Sequence, residues 1–114
     1  MISGAHVILY SRDAEADREF FRDILKFPYM DAGEGWLIFA LPPAEMAVHP
    51  AEKNGSLELY LMCDDLKATI KSLKKKKVEC SPSADQGWGV LARVKLPSGG
   101  ELGLYQPKHQ LAHH

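Results

Sequence analysis

The hydrophobic pattern over residues 5–10 is rich in Val, Ile and Tyr and alternates between two faces, with His6, Ile8 and Tyr10 on one and Ala5, Val7 and Leu9 on the other. That period belongs to a strand. Asp13 follows in the position of a helix N-cap, with Glu15 and Asp17 in a first turn where the helix dipole favours anions. Phe20, Phe21, Ile24 and Leu25 then recur at helical spacing, and Phe27-Pro28 ends the helix. The pattern predicts a short strand over 29–32, a turn at Gly33-Glu34-Gly35, a nearly continuous apolar strand over 36–41, a proline turn over 42–44 and a strand over 45–49.

Residues 51–56 are polar and carry a turn signal at Asn54-Gly55, so they read as a linker. Beyond them the order repeats. Residues 57–63 alternate, with Glu58, Tyr60 and Met62 opposite Leu57, Leu59 and Leu61. Asp64 or Asp65 caps a second helix carrying Leu66, Ile70 and Leu73 on one stripe. A weak strand over 78–81, a long one over 88–96, a turn at Ser98-Gly99-Gly100 and a last strand over 101–105 complete the chain.

The repetition extends to residues. Glu45-Met-Ala-Val-His49 recurs as Glu101-Leu-Gly-Leu-Tyr105, each copy beyond a Leu-Pro and each Leu-Pro beyond a Gly-Trp. Ser11-Arg-Asp13 pairs in the same way with Cys63-Asp-Asp65, and His6 with Glu58. The register drifts only where insertions fall in turns, as expected of two copies of one supersecondary unit. The expected fold is therefore α+β: two βαβββ modules, about 3–50 and about 56–107, form a single domain over 1–114. Their sheets pool into an incomplete barrel around a shared cavity, because neither half alone buries both its helix and its sheet.

Composition narrows the function classes. The chain has 114 residues, 46% of them hydrophobic and 25% charged, with a formal net charge of −1. Such a balance gives no broad field for nucleic acid or an anionic membrane. No apolar run reaches membrane-spanning length, and the start shows no basic-then-apolar leader, so the expected location is the cytoplasm. Cys63 and Cys80 lack CxxC spacing and read as reduced thiols. The run Lys74–Lys77 reads as a solvated helix end. Walker, GxGxxG, GxSxG and HExxH motifs are missing.

The stretches His6-Val-Ile-Leu-Tyr-Ser-Arg-Asp13, Phe20-Phe-Arg-Asp-Ile-Leu25 and Leu96-Pro-Ser-Gly-Gly-Glu-Leu-Gly-Leu-Tyr105, set in a duplicated frame, resemble the vicinal oxygen chelate superfamily. This is the superfamily of glyoxalase I, extradiol dioxygenases, fosfomycin-resistance enzymes and bleomycin-binding proteins, and the resemblance covers residues 3–107. It implies a glyoxalase/bleomycin-resistance/dioxygenase-like domain, a homodimer whose modules are exchanged in some relatives, and metal ligands on the first and last strand of each module. The first-strand positions are then His6 and Glu58, and the last-strand positions are Ala47 and Gly103, which cannot ligate.

His49 lies one pleat from Ala47, so His6, His49 and Glu58 form the candidate set for one divalent metal ion such as Fe, Mn, Ni or Zn. With a metal, the expected chemistry is that of a lyase, an isomerase or an extradiol-type dioxygenase, with Glu58 and Tyr105 as the catalytic proton-handling groups. The alternative is a metal-free protein that binds or sequesters a small oxygen-rich or aromatic compound, as antibiotic-resistance proteins of this fold do. Tyr10, Trp36, Tyr60, Trp88 and Glu101 are the candidate substrate contacts in either case. An inward Glu58 would be costly to bury unpaired, which makes His6 its expected partner.

Overall fold

The computed structural model describes residues 6–45, 47, 49–50, 52–55 and 57–112. Its elements, in order, are α1 (Ala14–Glu19) continued by a π-helical turn (Phe20–Ile24), β1 (Tyr29–Asp31), β2 (Leu37–Phe39), β3 (Tyr60–Met62), α2 (Leu66–Lys75), β4 (Ala84–Asp85), β5 (Gly89–Lys95) and β6 (Glu101–Pro107). The architecture is α+β with two sheets. One is the antiparallel pair β1–β2, and the other has the order β3-β6-β5-β4, with β3 parallel to β6 and the rest antiparallel.

Both helices start where short-range chemistry dictates. Asp13 Oδ1 accepts from the Ala16 N–H at 3.1 Å, and Asp65 Oδ1 accepts from the Ala68 N–H at 3.1 Å; each cap satisfies a donor the helix itself cannot. At the far end of α2, Lys77 takes a left-handed backbone (φ 64°). Its N–H donates to Lys74, and the Val78 N–H donates to Leu73. This pair of bonds is a Schellman closure. The sequence predicts a first helix that runs as far as Phe27-Pro28. It widens instead at Phe20, where the Leu25 N–H donates to the Phe20 carbonyl at 3.2 Å. The extra residue per turn brings Phe20, Phe21, Ile24 and Leu25 to bear on one core.

That core belongs mainly to the second half. Leu66 and Leu73 of α2 meet Ala92 and Val94 of β5 and Leu102 and Leu104 of β6, and Phe20, from the first half, is buried among them at 5% exposure. Asp17 fastens the same junction. It is buried to 4% exposure, and its carboxylate accepts from the Ser98 N–H at 3.1 Å and from the Ser98 hydroxyl at 2.9 Å. A buried carboxylate needs such donors, and here they hold α1 to the β5–β6 turn.

Among the described residues, two expected strands are not seen. Residues 6–10 carry no strand, and neither do residues 45, 47 and 49; residues 5, 46 and 48 lie outside the described set. The reason is packing. The apolar stripe of the first helix is committed to the second half's core, so residues 6–10 have no covering surface, and Val7, Ile8, Leu9 and Tyr10 are all exposed. In the second half the strand pairing does form, because Leu59, Leu61 and Cys63 face the core beneath α2. The weak strand expected over 78–81 reduces to a single bridge, Cys80 to Val94.

Candidate functional site

Alternation gives the large sheet two faces. Leu102 and Leu104 of β6, with Ala92 and Val94 of β5, point to the helices. The opposite parity, Arg93 on β5, Gly103 and Tyr105 on β6, and Tyr60 and Met62 on β3, forms an open face. Register sets the rows across it: Arg93 beside Gly103 beside Tyr60, then Leu91 beside Tyr105 beside Met62.

Glycine decides how the aromatic rings lie. A Cβ on Gly103 would sit 2.3 Å from Tyr60 Cδ1 and 2.6 Å from Cε1. The Tyr60 ring therefore occupies the space above β6 that any other residue at 103 would claim. Gly89 plays a similar part for Tyr105, whose Cδ2 would lie 3.2 Å from an added Cβ. Tyr105 stands edge-on to Tyr60, with ring centroids 5.9 Å apart and planes at 88°, and Trp88 packs on Tyr105 at 5.8 Å and 69°. These edge-to-face spacings lie within the favourable range for aromatic pairs.

Polar groups frame the rings. The Tyr60 hydroxyl donates to Glu58 Oε2 at 2.6 Å, while Arg93 Nη2 donates to the Tyr60 oxygen at 3.4 Å and stands 3.7 Å from Glu58 Oε2. The Arg93 guanidinium carbon lies 5.5 Å from the centre of the Tyr60 ring, within cation–π range. Tyr105 donates to Glu45 Oε1 at 3.5 Å.

The bond to Glu58, reinforced by burial and by the carboxylate's charge, raises the Tyr60 pKa above the ordinary phenol value. Tyr105 is raised too, by burial first and then by Glu45. For an acid with a raised pKa, the linked stabilisation is full below the ordinary phenol range and is lost as pH rises through the folded-state value. Glu58→Gln is expected to bring the Tyr60 titration back toward that of a free phenol. Absorbance at 295 nm, compared with Tyr60→Phe, measures the change; an unchanged titration would refute the role of the Glu58 bond.

Of the sequence-predicted contacts, Tyr60, Trp88, Tyr105 and Glu58 converge on this face. Glu101 lies at its end, exposed, opposite Lys95. Trp36 is held elsewhere, beneath the Arg18 guanidinium at 4.5 Å, and Tyr10 is 90% exposed. His6 and His49 are exposed. The expected His6–Glu58 pairing is replaced by Glu58 with Tyr60 and Arg93, because residues 6–10 stand outside the sheet whose strand β3 follows Glu58.

Among the described residues, no three His, Cys, Asp or Glu side chains group closely enough to hold a metal ion. The position of Gly103 is filled by an aromatic ring rather than by a donor. Among the described residues of one chain, His6, His49 and Glu58 are not gathered into the metal site the family resemblance implies. Sequence reasoning missed Arg93 and His109 as members of the site. Arg93 was findable, as the polar position between Ala92 and Val94 on an alternating strand.

No family model matches the sequence, and neither does any curated protein sequence. Solved structures do match. TnmS3, an antibiotic binding protein from Streptomyces sp. CB03234, is 26% identical over 95% of this chain and 100% of its own, with a TM-score of 0.66. A glyoxalase/bleomycin resistance protein from the same organism is 22% identical over 84% of this chain and 93% of its own, with a TM-score of 0.53.

The chain has the vicinal oxygen chelate fold.

A lactoylglutathione lyase from Agrobacterium tumefaciens shares that fold at 13% identity, covering 91% of this chain and 92% of its own, with a TM-score of 0.63. The vicinal oxygen chelate fold thus joins an antibiotic binder and a lyase, so the function has to be argued from the side chains on the open face.

Proposed function

We propose that this protein binds and sequesters a small, flat aromatic compound on the open face of its large sheet, without a metal ion. The observation that carries the reading is the Tyr60 ring lying over Gly103, flanked by Tyr105 and Trp88. An aromatic surface of this kind, with Arg93 and Glu58 at its margin, suits stacking and edge hydrogen bonds. The likeness to an antibiotic binding protein at 26% identity supports the same reading. Metal-assisted lyase, isomerase or dioxygenase chemistry gains no such support, since His6 and His49 do not join Glu58 in the chain.

The binding reading takes the chain as a single domain acting as a homodimer in the cytoplasm, in which pairing of residues 6–10 with a second copy would complete the two βαβββ modules and close the open face into an incomplete barrel. The exposed apolar run Val7, Ile8, Leu9 and Tyr10 supports the dimer. A strand-forming segment left without sheet partners is a ready edge for a second copy. No described helix is long and apolar enough to cross a membrane.

The test is tryptophan fluorescence during titration with a panel of planar aromatic compounds. Quenching is expected from Trp88 and not from Trp36, so the Trp88→Phe variant loses the response and Trp36→Phe keeps it. A panel with no response in either parent or variants would refute the binding reading.

A further inference from the structure

Beyond β6 the tail folds back over the Tyr105 end of the open face. The Lys108 N–H donates to the Trp88 carbonyl at 2.9 Å, and Lys108 Nζ donates to Asp85 Oδ2 at 2.5 Å. The His109 ring lies against that of Tyr105, with centroids 6.1 Å apart and planes inclined at 35°, and its Nε2 is 3.4 Å from the phenol oxygen. The Ala112 N–H then donates to Glu45 Oε2, while Glu45 Oε1 accepts from Tyr105. The tail crosses from the second half to a residue of the first, and its contacts with Trp88, Tyr105 and Glu45 border the aromatic rings.

Those contacts take up the hydrogen-bonding groups at that end of the face. The Tyr105 hydroxyl is engaged by Glu45 and His109, and both Glu45 oxygens are occupied. A flat compound stacked beside Tyr60 and Trp88 would meet the same atoms with any hydroxyl at its rim. Residues 109–112 are themselves exposed, so each bond competes with water and none is strong alone.

We propose that residues 109–112 form a strap that occupies the hydrogen-bonding end of the aromatic face and is displaced by a planar aromatic ligand bearing a hydroxyl group. The inference rests on the binding reading above and narrows its ligand to phenols. The strap acts as an internal competitor. Apparent affinity falls in proportion to the fraction of time the end is open, so loosening the strap tightens binding. An aromatic hydrocarbon, which asks nothing of Glu45 or Tyr105, stacks without displacing it and is indifferent to its state.

The test uses 2-naphthol and naphthalene as probes, with affinity measured by calorimetry for the full chain, for Ala112→Pro and for a chain ending at Lys108. Proline removes the N–H that binds Glu45 and leaves the rest of the tail in place. Both variants are expected to bind 2-naphthol at least about three-fold more tightly, with faster association, and naphthalene as before. Unchanged or weaker 2-naphthol binding in both variants overturns the strap and leaves the binding reading standing. Equal tightening for both probes also overturns it, since competition would then not concern the hydroxyl. If 2-naphthol and naphthalene bind none of the three proteins, the binding reading falls and the strap with it.

Discussion

Gly103→Ala is expected to weaken aromatic ligand binding at least ten-fold and to destabilise the protein by about 1–3 kcal/mol, the usual cost of forcing an extra carbon into filled space. The new methyl carbon would stand 2.3 Å from Tyr60 Cδ1, far inside contact distance. The ring must then leave the surface of β6, losing its edge-on contact with Tyr105 and its place beside Arg93. A companion variant separates the two effects. Gly103→Ala combined with Tyr60→Ala frees the space and should recover most of the lost stability while leaving binding weak. Thermal unfolding and ligand titration of the pair check this. A single variant that binds normally would show that the placement of the Tyr60 ring is incidental.

The second large effect concerns how the halves hold together. Phe20→Ala is expected to cost about 3–5 kcal/mol, the range for removing a buried phenylalanine ring. Small domains are stable by only about 5–15 kcal/mol, so this one change takes a large share and should lower the melting temperature by roughly 10–25 °C. Phe20 comes from the first half, yet its buried neighbours Leu66, Leu73, Val94 and Leu102 all come from the second. One cooperative transition should therefore be seen, shifted as a whole. Tyr10→Ala, at a residue 90% exposed, serves as the control and should move stability by no more than about 0.5 kcal/mol in the isolated chain. If Phe20→Ala melts in two steps, with the second at the parent temperature, the halves are independent and the shared core is refuted.

What could be read from the sequence was whatever local chemistry or periodicity decides. Asp13 and Asp65 cap helices because a carboxylate three residues before a free N–H serves that helix whatever surrounds it. Leu66, Ile70 and Leu73 were legible as the core-facing stripe of α2 because the face of a helix follows from spacing alone. The gathering of Tyr60, Trp88 and Tyr105 followed from strand parity combined with the duplication.

Distances between elements were beyond that reach. His6 and Glu58 occupy equivalent places in the two halves, yet equivalence in a repeat does not say that both strands join a sheet. Only the second did, because Leu59 and Leu61 have a core to cover and residues 6–10 do not. Gly103 shows the same limit differently. Its small size was visible, but a glycine in a strand fits either an empty space or a close neighbour, and only coordinates reveal the Tyr60 ring above it. His109 lay in a polar tail with no periodicity, so its approach to Tyr105 had no sequence signal.

The central claim is that the face formed by Tyr60, Tyr105 and Trp88 receives a flat aromatic molecule. The most direct measurement is a map of NMR shift changes over the backbone amides and the two tryptophan indoles as 2-naphthol is added. The account predicts large ring-current shifts at the Trp88 indole and along β3 and β6 near Tyr60, Gly103 and Tyr105, with the Trp36 indole unmoved. Shifts confined to Trp36, to the helices or to residues 6–10, or an unchanged spectrum at saturation, would contradict it.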